Sequence, residues 1–321
     1  MGPMKKSAIF SLVLFAVNAN AQTEYKGIFG ALPKVPEFTS LTPVDQAKAT
    51  LGKKLFNDPI LSISKKISCN SCHNLATFGV DNEATSLGHE GKRGDRNSPT
   101  VYNSALHFKQ FWDGRAEDVE AQALGPVLNP AEMAMPAEGV VIERLSESPE
   151  YLPLFKKAFP DEAAPITFKN MGRAIGFFER RMLTPSRFDK YLEGDAAALT
   201  DAEKNGMKTF VSSGCIACHA GATVGGMMFQ KLGLVKPYET KDLGLFKITN
   251  KESDKFFFKV PSLRNVSETG PYFHDGSVKT LQEAIVLMGR HQLGKELNTG
   301  EVDSIAAFLH SLKGEIPKEA L

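Results

Sequence analysis

The pentapeptides Cys69-Asn70-Ser71-Cys72-His73 and Cys215-Ile216-Ala217-Cys218-His219 hold every cysteine of this 321-residue chain. Four cysteines in two C-x-x-C pairs allow two disulfides, or one zinc site of four thiolates. Neither reading uses the histidine that follows each second cysteine. C-x-x-C-H is the attachment motif of a c-type haem. The two thiols form thioethers to the haem vinyl groups, and the adjacent histidine ligates the iron. Two copies that exhaust the cysteines favour two covalent haems, one on Cys69, Cys72 and His73, the other on Cys215, Cys218 and His219.

The chain starts with the features of an exported protein. Lys5 and Lys6 precede a ten-residue apolar run, Ala8 to Val17, which is too short to span a bilayer. Ala19-Asn20-Ala21 then supplies a small-residue cleavage pattern, so residues 1–21 read as a signal peptide and the mature chain as starting at Gln22. The two-lysine start points to bacterial export into the periplasm. The formal charge is +1, and losing two lysines and no acids leaves about −1. Such a balance gives no reason to expect nucleic acid or an anionic membrane as partner. No later segment has the length of unbroken apolar residues that a membrane span needs.

The segments before the two motifs resemble each other. Thr42-Pro43-Val44-Asp45 and Thr200-Asp201-Ala202-Glu203 each place a capping threonine three residues before an acid. Both stretches end in G-x-x-x-F, at Gly52 to Phe56 and Gly206 to Phe210. Each half closes with another helical pattern: Met171, Ile175, Phe178 and Met182 within 170–183, and Val302, Ile305, Phe308 and Leu309 within 301–312. The expected fold is mostly α, two cytochrome c-like haem domains in tandem, at 22–185 and 186–321. The joint falls near 184–199, and the extreme C-terminal tail is expected on the first domain. "KFFFKV" at 255–260 is the best strand candidate.

Each iron has a second axial position, whose occupant decides between electron transfer and substrate binding. Met288, in "EAIVLMGR", is the candidate opposite His219; a core methionine at helical spacing is the plainer alternative. His89 lies in 79–97, which holds Gly79, Gly88, Gly91 and Gly94. That glycine density fits a mobile loop and a ligand able to leave the first iron. His107, His291 and His310 read as surface or structural.

The motifs and the long stretches "RNSPTVYNSALHFKQFWDGRAEDVEAQALGPVLNPAEM", "VPSLRNVSETGPYFHDGSV" and "VLMGRHQLG" give a resemblance over essentially the whole mature chain. The chain resembles the bacterial dihaem cytochrome c peroxidases. The resemblance implies a low-potential peroxidatic first haem, with His89 as its sixth ligand in the resting oxidised form. It implies a high-potential second haem with Met288 opposite His219. It further implies Trp112 between the haems, Glu132 and Gln122 as the catalytic distal pair, and a calcium ion at Asn97, Thr269 and Pro271. The last two would bind through backbone carbonyls. His274 matches a position to which no role is given. The implied reaction is reduction of hydrogen peroxide by a small cytochrome c or cupredoxin, in a homodimer, gated by reduction of the second haem. Relatives that oxidise a partner protein's side chain carry tyrosine in place of Met288. A pure electron carrier is the other alternative.

Overall fold

A capped helix opens each half. Thr42 Oγ1 accepts the Asp45 N–H at 3.2 Å, with Pro43 at the first helical position, and α1 (Pro43–Asn57) follows. The first half continues through α2 (Glu138–Glu147), α3 (Tyr151–Ala158) and α4 (Phe168–Glu179). In the second half Thr200 and Glu203 form a reciprocal capping box before α5 (Asp201–Ser213). α6 (Leu281–Leu293) and α7 (Thr299–His310) complete it. Strand β1 (Phe229–Lys231) pairs antiparallel with β2 (Phe257–Lys259), inside the expected 255–260. This computed structural model describes residues 25–321; the expected leader at 1–21 lies outside them.

The repeated G-x-x-x-F has a packing cause. α1 crosses α4, and α5 crosses α7. A Cβ on Gly52 would collide with the Ala174 carbonyl, and one on Gly206 with the Ser304 carbonyl. One turn on, Phe56 meets Phe178 edge-on at 5.7 Å, and Phe210 meets Phe308 at 5.3 Å. Each pair thus closes backbone to backbone at a glycine and then locks on two aromatic rings. The stripes Met171, Ile175, Phe178, Met182 and Val302, Ile305, Phe308, Leu309 are all buried.

The repeat extends further than the motifs indicate. Pro99 to Asn103 and Pro261 to Asn265, 162 positions apart, occupy equivalent places. Asn103 and Asn265 are both left-handed, with φ of 63° and 61°. Their N–H groups bond to Met182 and Leu312, just past α4 and α7. Both side-chain amides donate to one hydroxyl, Thr184 Oγ1, at 2.8 Å, so the two halves meet on a buried polar seam. The same offset relates the bridges Gln110–Ala116 and Tyr272–Val278, and it places Trp112 opposite His274.

Two hydrophobic cores flank this seam, one built from residues 51–182 and one from 188–312. The termini cross between them. Ile316 and Ala320 pack on the first core, where Glu319 pairs with Arg181 at 2.5 Å. Residues 25–32 depart from the expected division at 185, because Tyr25 and Phe29 belong to the second core. Phe29 meets Phe188 edge-on at 5.4 Å, and the Leu32 N–H bonds to Asp189 at 2.8 Å. Asp189 is also held by the fully buried Arg264 through two hydrogen bonds of 2.6 and 2.9 Å.

Candidate active site

The two motifs begin differently. Ser68 and Ser71 cap one helical turn at Cys69–Cys72. Cys215–Ala217 is a tighter 3-10 turn that follows Gly214, at a φ of 97°. All four cysteines are unpaired. Burial pushes Cys69 up to about 12 and Cys72 and Cys215 up to about 11, so these thiols are protonated at neutral pH. They line two separate cavities, which removes the four-thiolate site, and none of the described residues forms a disulfide.

The donor sets fit haem. His73 and His219 line their respective cavities beside the cysteine pairs. Burial lowers both imidazoles, His219 to about 4, so each presents a neutral ring. His219 Nδ1 faces the Val224 carbonyl at 3.3 Å, which leaves Nε2 as the free donor. His73 Nδ1 is buried without a hydrogen-bond partner. Met288, on α6, lines the second cavity with His219.

The first cavity gathers Gln122, Glu132 and Arg115 around Cys69, Cys72 and His73. Gln122 ends the short helix Val119–Gln122, and its amide makes no side-chain hydrogen bond among the described residues. Asn129 donates to Glu132 Oε1 at 2.7 Å. Burial raises the Glu132 carboxyl above its ordinary value, against the opposing pull of Arg115 and Asn129. Arg115 stacks on Phe111 at 3.4 Å and pairs with Asp113 at 3.1 Å. Its role was not legible in the sequence, where it reads as one charge in "WDGRAED".

His89 is not brought into this cavity; Gly88 lines it instead. His89 Nε2 lies 3.6 Å from Glu90, and its N–H bonds to the Glu132 carbonyl at 2.9 Å. Glycine in this loop also serves packing: a Cβ on Gly88 would strike the Ala131 carbonyl. Arg96 anchors the loop's end, bonding Asp113 at 2.6 Å and Asp242 of the second half at 2.5 Å.

Trp112 lines both cavities. Its Nε1 donates to the Asn97 carbonyl at 2.9 Å, and its ring meets His274 edge-on at 6.5 Å. His274 is buried, tilted on Phe258 at 4.5 Å, and accepts the Asn97 N–H on its own carbonyl at 2.8 Å. Asn97, Thr269 and Pro271 line the second cavity together. Asn97 Oδ1 and the Thr269 and Pro271 carbonyls accept no hydrogen bond from the described residues. His291 and His310 are at or near the surface. His107 is not a surface residue: its Nε2 is buried without a partner, in the wall of the second cavity.

The 162-residue offset exposes one further position. Met288 in the second half corresponds to Pro126 in the first, and Pro126 lines the first cavity. Proline has no side-chain donor, so the position that carries a thioether in one cavity carries no ligating side chain in the other. Aligning the halves on P-x-x-x-N would have revealed this.

Two helical halves, each closed around a C-x-x-C-H motif, define a tandem c-type haem protein. Residues 46–197 match the sequence profile of the di-haem cytochrome c peroxidases. A cytochrome c551 peroxidase of Nitrosomonas europaea is 46% identical over 97% of this chain and 91% of its own length. A cytochrome c551 peroxidase of Pseudomonas aeruginosa is 46% identical over 86% of this chain and 81% of its own. The crystal structure of a MauG-like protein associated with microbial copper homeostasis superposes with a TM-score of 0.77, at 30% identity, covering 88% of this chain and 95% of that one. The chain belongs to the di-haem cytochrome c peroxidase family, and two haems are its cofactors.

Proposed function

We propose that this chain is a periplasmic cytochrome c peroxidase that reduces hydrogen peroxide to water with electrons from a small c-type cytochrome or cupredoxin. The observation that carries the reading is the asymmetry of the cavities. Met288 faces into one; Pro126, Gln122 and Glu132 line the other. The names of the 46%-identical relatives support the same activity.

When bound, the first haem supplies an iron that takes peroxide and one electron for its cleavage, and the second haem stores the other electron. Glu132 takes the proton from one peroxide oxygen and returns it to the oxygen that leaves as water. Asn129 holds one carboxylate oxygen in place for this. Gln122 donates a hydrogen bond to the charge that develops as the O–O bond breaks. Trp112, in the wall of both cavities, bridges the two centres. Two one-electron deliveries and two protons per peroxide yield two waters.

In this reading His89 would help hold the first haem in the oxidised protein and would release it once the second haem is reduced. The tie of Arg96 to Asp242, which links the 79–97 loop to the second half, supports that coupling. Asn97, whose carbonyl holds Trp112, would also hold calcium with Thr269 and Pro271. Export and a homodimer complete the proposal. Steady-state assays with a reduced donor test it: the peroxidase oxidises two donor molecules per peroxide, whereas a pure electron carrier consumes none.

A further inference from the structure

The second cavity contains a buried cation with no anion beside it. Lys259, on β2, is 6% exposed, and burial alone acts on its ammonium, lowering it to about 8. No carboxylate among the described residues pairs with it. Its only side-chain partner is His107, whose Nδ1 accepts from Nζ at 3.2 Å. Accepting at Nδ1 places the proton of the neutral ring on Nε2, and that N–H is buried with no acceptor. Burial and the neighbouring ammonium both hold His107 well below its ordinary value, so the ring stays neutral. A lone buried charge and an orphaned buried donor, side by side, each cost stability unless an anion meets them.

Both residues line the cavity that contains Cys215, Cys218, His219 and Met288. The carboxylates of a haem are its only anionic groups. We propose that Lys259 and His107 form the carboxylate-binding pair of the second haem, and that Lys259 raises that haem's reduction potential. The inference rests on the second haem being held by Cys215, Cys218 and His219. The internal offset gives a second line of support. Lys259 corresponds to Asn97, and His107 to Thr269. The backbones match: the Asn97 N–H bonds to the His274 carbonyl and the Lys259 N–H to the Trp112 carbonyl, both at 2.8 Å. One side of this seam thus offers oxygen ligands to a cation; the other has an ammonium built in.

A cation beside the porphyrin stabilises the added electron. The test is potentiometric titration of the purified holoprotein and of Lys259→Met and Lys259→Arg, followed at both haems. Lys259→Met keeps the apolar stem and close to the same volume in the buried wall. Its expected effect is about a tenfold shift toward the ferric form at the second haem, about 59 mV downward for one electron, with the first haem nearly unmoved. Lys259→Arg restores most of the potential. Infrared difference spectra of protein carrying ¹³C-carboxyl haem read the contact directly: the redox-linked carboxylate band moves in Lys259→Met and in His107→Phe. An unchanged second potential, or a carboxylate band indifferent to both substitutions, overturns the assignment. Mass analysis showing no thioether at Cys215 and Cys218 would instead remove the haem reading on which it rests.

Discussion

Glu132 and Glu179 are two buried carboxyls in the wall of one cavity with different consequences. In the proposed mechanism Glu132 has to be ionised to accept the peroxide proton. Its folded value lies above 4.5, so kcat/KM should fall as pH drops through that raised value. Glu132→Gln should remove this acidic limb and lower peroxide cleavage by roughly 10²–10⁴-fold, as stopped-flow mixing with peroxide would reveal; a near-normal rate would take Glu132 out of the role. Glu179 is buried at the end of α4; burial first and Glu120 second raise it to about 8, against the pull of Arg180. The unfolded chain ionises this carboxyl near 4.5 while the folded one keeps it protonated to about 8. Its contribution to stability is therefore greatest below 4.5 and declines as pH rises to 8. Glu179→Gln should flatten that decline in denaturant titrations across the same range; an unchanged slope would mean that Glu179 is ionised in the fold. Histidine after C-x-x-C marked the haem sites in the sequence because covalent attachment needs contiguous residues. Lys259 and Glu179 were not legible, since a charge becomes remarkable only once burial has removed its solvent; Arg115 stays exposed and gains meaning only from its place in the cavity wall.

At the scale of elements, the helix pairs α1–α4 and α5–α7 are one solution used twice. Gly52→Ala and Gly206→Ala should each destabilise by about 1–3 kcal/mol through overpacking, measurable as lowered denaturation midpoints, while an exposed glycine such as Gly139 tolerates alanine. The four helices and the caps at Thr42 and Thr200 were legible from period and spacing. β1 was not, because three residues paired across a gap of more than twenty leave no local period. The equivalence of Pro126 and Met288 escaped for a related reason: the segments between the motifs differ in length, so the repeat shifts from an offset of 146 at the cysteines to 162 beyond them. Pro126→Met tests what that equivalence does. It should place a thioether opposite His73, give the first haem a low-spin methionine-ligated spectrum, and abolish peroxide turnover. Retained activity with an unchanged spectrum would show that this position does not face the iron.

For the whole molecule, an internal repeat with different residues at equivalent positions gives two similar halves with different cavities. The seam at Asn103, Thr184 and Asn265 links them, and Asn97 joins the end of the 79–97 loop to Trp112 and to the His274 carbonyl. A rigid seam with one anchored loop suits a molecule in which an electron arriving at one centre opens the other. In the proposed mechanism the centres are not interchangeable, the first cleaving peroxide and the second supplying an electron. Reducing the holoprotein by one electron in the presence of calcium, then adding cyanide while recording paramagnetic resonance and optical spectra, separates the two. The expected result is the electron on the second haem, loss of the low-spin signal of the first haem, and one cyanide bound there. A first haem that stays six-coordinate and refuses cyanide, or cyanide binding at the second haem, would contradict it.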